Sequence, residues 1–140
     1  MGKINWVRVF LGGLVATVVN ILLGVAASSK YVLGPLHDAE IKALGAQPPH
    51  NLLWLYPVYI LLGGMGLIWL YAVARPRLGA GAKTAVKTAV GYWFIGVALP
   101  NLENVAAGRF SARLMALGSL AALVGLIAAS VAGAAIYKEA

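Results

Sequence analysis

The sequence predicts an all-α membrane protein: a bundle of four transmembrane helices with a short amphipathic helix in its first extracytoplasmic loop. Three observations lead to this prediction. The 140 residues are 61% hydrophobic and only 11% charged, whereas soluble domains are roughly a quarter charged. Four apolar stretches approach or exceed the ~20 residues that a spanning helix needs. The basic residues gather beside one end of these stretches.

The predicted spans cover residues 6–27, 52–74, 88–106 and 114–136, and none has Lys or Arg at its centre. The whole chain, 1–140, is therefore expected to be one transmembrane domain. Strands are not expected, because an open sheet leaves unbonded edges in lipid. The start of the chain resembles a signal peptide, with Lys3 and Arg8 before an apolar run that ends near Ala26-Ala27-Ser28. This run is long for a signal core, so we interpret it as an uncleaved first span.

The orientation follows from the basic residues outside the spans, because cytoplasmic loops retain Lys and Arg. One side has seven, Lys3, Arg8, Arg75, Arg77, Lys83, Lys87 and Lys138, and the other has four, Lys30, Lys42, Arg109 and Arg113. Both termini are therefore expected in the cytoplasm. These membrane flanks also explain the net charge of +7, and no basic arm or groove pattern indicates nucleic acid as a partner.

Residues 31–51 form the one sizeable loop, which is expected on the extracytoplasmic side. Pro35 suits the first turn of a helix, and Leu36, Ile41 and Leu44 share one face. Gly45 and the following Pro48-Pro49 pair favour a stop. The pattern predicts a short amphipathic helix on the membrane surface or across the mouth of the bundle; an irregular loop is the alternative.

The fourth span carries a stripe of small residues at helical spacing. Its members are Gly118, Ala121, Gly125, Ala129 and Gly133. Small residues in this arrangement allow two helix backbones to approach closely. The stripe is interpreted either as packing within the bundle or as an interface with a second copy or another membrane protein.

Polar side chains are expected to meet in the extracytoplasmic half of the bundle. Asn20 and Asn101 each lie about 14 residues into their spans from the cytoplasmic side, a depth of roughly 20 Å. Glu103 and Asn104 follow, and Tyr59 returns to the same half from the second span. Because polar groups in hydrocarbon usually face the bundle interior, we expect either an interhelical hydrogen-bond network or a pocket for a small ligand, lipid or ion.

No catalytic or metal-binding signature is present in the sequence. The chain has no cysteine, which excludes disulfides and thiolate chemistry. His37 and His50, with Asp38 and Glu40, compose at most a weak metal site in the loop, and we interpret them as solvated. Phosphate-loop and hydrolase motifs are missing. We therefore predict no catalytic residue, no metal and no cofactor, and a protein that is not an enzyme.

Short motifs at the span boundaries run through most of the chain. They are Ile4-Asn5-Trp6 with Arg8-Val9 and Gly12-Gly13-Leu14; Trp69-Leu70-Tyr71-Ala72 with Arg75-Pro76-Arg77 and Gly79; Lys83-Thr84-Ala85; and Tyr137-Lys138-Glu139. With them the chain resembles a group of small, uncharacterised four-helix bacterial integral membrane proteins of the domain-of-unknown-function type. The resemblance implies four spans and the bacterial cytoplasmic (inner) membrane. It implies no activity and no functional residues.

Two functions are compatible with these features. The first is an accessory or scaffold subunit of a larger membrane assembly, respiratory or photosynthetic, or a homo-oligomer. Its partners would be the lipid bilayer and other membrane subunits or a second copy. The alternative is binding or transport of a small solute, lipid or ion through the polar cluster.

Overall fold

The computed structural model describes residues 4–29, 32–44 and 54–138, which form helices joined by turns and, within these ranges, no strand. The helices are α1 (Trp6–Ala27), α2 (Gly34–Leu44), α3 (Leu55–Leu78), α4 (Ala82–Trp93), α5 (Leu99–Ala106) and α6 (Ala112–Ile136). A π-helical turn, Phe94–Ala98, joins α4 to α5. The prediction of an all-helical protein is confirmed for this part of the chain.

Three of the helices, α1, α3 and α6, are long and apolar enough to cross a membrane. The bounds of α1 are those predicted for the first span. α3 runs past the predicted end at residue 74 and takes in Arg75 and Arg77 before it stops at Gly79, whose φ is 84°. α6 begins at Ala112, where the side chain of Ser111 accepts a hydrogen bond from the N–H of Leu114 and caps the helix.

The region of the predicted third span is interrupted. α4, the π turn and α5 form one helical path over residues 82–106, but neither α4 nor α5 alone is long enough to cross a bilayer. Pro100 explains the interruption, because it has no N–H to donate to the carbonyl of Gly96. The N–H of Leu99 instead donates to the carbonyl of Phe94, five residues earlier, which is the π-helical pattern.

α1 packs between α6 and α3, and α4 completes the bundle against α6 and α3. Glycines set the distance between the backbones of neighbouring helices. A Cβ atom placed on Gly12 would lie 2.7 Å from the carbonyl oxygen of Gly133, and one on Gly13 would lie 2.8 Å from the Cα of Met65. The backbone of α1 is therefore in direct contact with both neighbours, as small residues permit.

The small-residue stripe of α6 is divided between two environments. Gly125, Ala129 and Gly133 are buried, and Gly125 and Gly133 lie against side-chain and backbone atoms of α1. Gly118 and Ala121 are only partly buried and line a crevice described below. Packing within the bundle thus accounts for Gly125 and Gly133.

Aromatic side chains hold both described chain ends and the α3–α4 turn together. The hydroxyl of Tyr137 accepts a hydrogen bond from the N–H of Asn5 at 3.3 Å, and its ring stands edge-on to Tyr71 at 5.9 Å. The hydroxyl of Tyr71 accepts from the N–H of Gly81 at 3.0 Å. The guanidinium of Arg75 lies 5.6 Å from the centre of the Tyr137 ring. We call this the basic end, which includes Arg8, Arg75, Arg77, Lys83, Lys87 and Lys138.

The short helix predicted in the first loop is present as α2, and it is attached to the α5–α6 turn. The carboxylate of Glu40 accepts hydrogen bonds from the N–H of Ser111, at 3.1 Å, and from its hydroxyl. Leu36 and Ile41 are partly buried while His37 is exposed, in agreement with an amphipathic helix. The expected stop at Gly45 and Pro48-Pro49 lies outside the described residues, as do Lys3, Lys30 and His50. We call this opposite end of the bundle the α2 end.

Candidate functional site

A cavity of about 190 Å³ lies inside the bundle, between α1, α3, α6 and the helical path through α4 and the π turn. Three polar side chains line it: Asn20 from α1, Tyr59 from α3 and Tyr92 from α4. Its other walls are glycine or apolar side chains, and its deep end is closed by the fully buried Ala16 and Ala129.

Glycines position the two deep polar groups. A Cβ atom placed on Gly66 or on Gly96 would lie 3.8 Å from the ring of Tyr92. A Cβ atom placed on Gly63 would lie 3.3 Å from the Tyr92 hydroxyl. The amide oxygen of Asn20 lies 3.1 Å from the corresponding point of Gly125. The cavity therefore exists because these helix faces carry no side chain.

The polar groups of the cavity make no hydrogen bond within the described part of the protein. The side chains of Asn20, Tyr59 and Tyr92 have no hydrogen-bonding partner among the described residues. Asn20 and Tyr92 are partly buried and Tyr59 is exposed, so their side chains remain accessible from the cavity. These three side chains are consequently the groups of the cavity that can bind a ligand.

The cavity continues into a wider crevice of about 470 Å³ that extends toward the α2 end. The two spaces share Asn20, Tyr59, Ile60 and Ala122 in their walls. Tyr59 is 68% exposed and stands at the opening. Gly118, Ala121 and Gly125 of the α6 stripe line this crevice, so the stripe also keeps the entrance free of side chains.

Asn101 lies in a different place. Its amide donates a hydrogen bond to the hydroxyl of Ser119 at 2.8 Å and so joins α5 to α6. The carbonyl of Ser119 accepts from the indole N–H of Trp93 at 2.7 Å. These residues line a separate, largely apolar groove between α5 and α6. Asn101 is thus part of an interhelical hydrogen-bond network, which was one of the two interpretations of the polar residues.

Glu103 and Asn104 lie in the last turn of α5, next to the α5–α6 turn. Both side chains accept hydrogen bonds from the guanidinium of Arg109, at 2.9 Å and 3.2 Å. Exposed ion pairs of this kind contribute little stability. Glu103 is not in the wall of the cavity and supplies it with no charge.

The five polar residues expected to meet are therefore spread over three places, and the expectation of a single cluster is corrected. Their depth was counted from the rise per residue, but their direction depends on helix phase. Each residue turns an α-helix by about 100°, and the π turn at Phe94–Ala98 adds one residue to a turn just before Asn101. The turn changes which way Asn101 and Glu103 point.

Sequence reasoning did not select Tyr92. The signal that identifies it is a hydroxyl-bearing side chain near the middle of the helical path over residues 82–106, away from the span ends where tyrosine is common. Within the described residues there is no group of three His, Cys, Asp or Glu that could hold a metal ion. The Nδ1 atom of His37 lies 3.7 Å from the Oδ1 atom of Asp38 on the exposed side of α2.

Comparisons of the chain with protein-family models, with curated proteins and with solved structures found no match. The cavity and its polar groups are therefore the basis for a function.

Proposed function

We propose that this is a non-enzymatic integral membrane protein that binds a small molecule or a lipid in the cavity of Asn20, Tyr59 and Tyr92. The observation that carries the proposal is that these three side chains face one cavity without a partner among the described residues. Ligand sites are typically apolar cavities with a few convergent polar groups. The lining offers no acid and base pair for catalysis.

The proposal includes four membrane crossings. The helical path over residues 82–106 is about 37 Å long at 1.5 Å per residue, which exceeds the ~30 Å of a bilayer core. An even number of crossings returns the chain to its starting side, in keeping with the hydrogen bond between Asn5 and Tyr137. We place the basic end in the cytoplasm of a bacterial cell. The crevice and α2 then face the extracytoplasmic side.

Single-cysteine variants test this arrangement without background, because the chain has no cysteine of its own. Ala80, in the α3–α4 turn, and Ala107, before α6, are both exposed. We expect a membrane-impermeant maleimide to label Ala107→Cys in intact spheroplasts, and Ala80→Cys only after permeabilisation. The inverse pattern would reverse the orientation, and labelling of both variants from one side would remove the third crossing.

The binding proposal is tested on the full chain extracted from its membrane in mild detergent. We expect native mass spectra to show a bound molecule of constant mass in addition to the chain. Asn20→Ala and Tyr92→Phe each remove one hydrogen-bonding group worth about 1–1.5 kcal/mol, so each is expected to lower affinity about tenfold. Asn101→Ala is the matched control, since it also removes an amide but lies in the α5–α6 groove. If both cavity variants retain the bound molecule as well as the unaltered protein does, the proposal is contradicted.

The second candidate function is that of an accessory or scaffold subunit, or of a homo-oligomer. It is favoured by Gly118, where a Cβ atom would meet nothing within 4 Å, so that part of the α6 stripe remains open to another helix. The same preparation separates the candidates by mass. A constant complex with another subunit or a second copy, with no small molecule retained, supports the second.

A further inference from the structure

We infer that the ligand is an uncharged lipid with a compact hydrogen-bonding head and a single apolar chain, the chemistry shared by prenyl quinones and prenyl alcohols. The inference rests on the proposed function and narrows its ligand to one class. It is argued from the charge of the lining, the size of the deep cavity and the path from the cavity to the lipid.

The absence of charged side chains from the described lining favours a ligand with an uncharged head. The described residues that line the cavity and the crevice include no Asp, Glu, Lys, Arg or His. The acidic side chain expected nearby, Glu103, pairs instead with Arg109. A phosphate, amine or carboxylate entering the cavity would lose its hydration and gain no opposite charge, which is strongly unfavourable in an apolar interior.

The deep cavity selects a compact head with polar atoms. A cavity of about 190 Å³ has room for roughly six water-sized groups at ~30 Å³ each, the size of one substituted ring or a short polar group. The amide of Asn20 and the hydroxyls of Tyr59 and Tyr92 all donate and accept hydrogen bonds. A carbonyl or hydroxyl on the head can therefore supply the partners that the described residues do not.

The crevice selects an apolar chain. Beyond Asn20 its wall includes Ile21 and Val25 of α1, which are 40% and 68% exposed on the outside of the bundle. Apolar side chains of α1 thus line the crevice between the cavity and the surface that we propose contacts lipid. A single chain can follow this wall into the bilayer while its head stays beside Tyr92.

The test uses the full chain in nanodiscs of phosphatidylcholine, with thermal unfolding and native mass spectrometry as readouts. Four probes are titrated: a decyl-chain benzoquinone, farnesol, oleate and glycerol. The quinone and farnesol are uncharged with one chain, oleate has the chain with a charge, and glycerol has hydroxyls without a chain. Because a ligand stabilises the state that it binds, we expect the quinone or farnesol to raise the unfolding temperature in a saturable way. We expect at least tenfold weaker binding of oleate and glycerol.

The comparison between the quinone and farnesol identifies the head, and Tyr92→Phe, which keeps the ring, is expected to weaken the better probe about tenfold. If oleate or glycerol binds as tightly as either of them, and the binding is weakened by Asn20→Ala, the ligand class is wrong while the binding site remains. If no probe and no co-purified molecule depends on Asn20 or Tyr92, the proposed function fails as well. If a variant does not fold, the order of affinities of the four probes for the unaltered protein still tests the ligand class.

Discussion

Replacing Gly133 by alanine is expected to destabilise the bundle by about 2–3 kcal/mol, within the range for overpacked cores. The added methyl group would lie 2.6 Å from the carbonyl oxygen of Gly12 and 2.6 Å from the Cδ1 of Ile68. The first of these atoms belongs to a helix backbone and the second to a side chain that is fully buried. Neither can move alone, so α1 has to shift away from α6 and lose its close contact.

Gly118→Ala is the matched control for this effect, because it adds the same methyl group to the same helix. Nothing lies within 4 Å of the position where that group would be. Alanine is a better helix former than glycine, by as much as about 1 kcal/mol, so this variant is expected to be neutral or more stable. The stability of both variants is measured by thermal unfolding in mild detergent, monitored by circular dichroism. An equal loss in the two variants would show that contact between α1 and α6 does not determine the stability.

The close approach of α1 and α6 was anticipated only in part from the sequence. The four-residue spacing of Gly125, Ala129 and Gly133 predicted a helix face for tight packing, since spacing fixes what shares a face. It did not predict which helix fills that face, because the same pattern suits a second copy or another protein. The choice of α1 depends on Gly12, whose own backbone meets that of Gly133.

Helix positions were predictable because local signals mark them. The apolar run of α1 begins after Asn5, whose side chain accepts from the N–H of Arg8 and caps the helix. Pro35 marked the start of α2, and Gly79 ends α3. The third span was predicted from residue 88, while the helix that contains its start begins at Ala82 and carries Lys83 and Lys87 in its first turns.

The sequence predicted how deep the polar residues of the candidate site lie along their helices, but not the direction in which their side chains point. Asn20 and Tyr59 share a cavity as expected from their heights. The position of Asn101 follows from the π turn, and a sequence shows a proline but not how the helix before it adjusts. Tyr92 was missed because its role depends on Gly63 and Gly66 of another helix, which leave room for its ring.

Tyr137→Ala is expected to be the most destabilising single truncation at the basic end, by about 3–5 kcal/mol, the usual range for a buried aromatic side chain. Tyr137 is 4% exposed. It bonds to the N–H of Asn5, packs edge-on against Tyr71 and lies under the guanidinium of Arg75. Its loss leaves a hole where three parts of the chain meet, and neighbouring backbone segments cannot close it without moving the ends of α1 and α3.

Two variants divide this effect into its parts. Tyr137→Phe keeps the ring and removes only the hydrogen bond to Asn5, so it is expected to cost about 1 kcal/mol. Tyr56→Ala removes the same side chain at the other end of the bundle, where it is 65% exposed, and is expected to change stability by less than ~0.5 kcal/mol. Thermal unfolding of the three proteins in the same detergent gives the order. If Tyr137→Ala is no less stable than Tyr56→Ala, the ring does not hold the chain ends together, and the proposal that both ends lie on one side of the membrane loses its structural support.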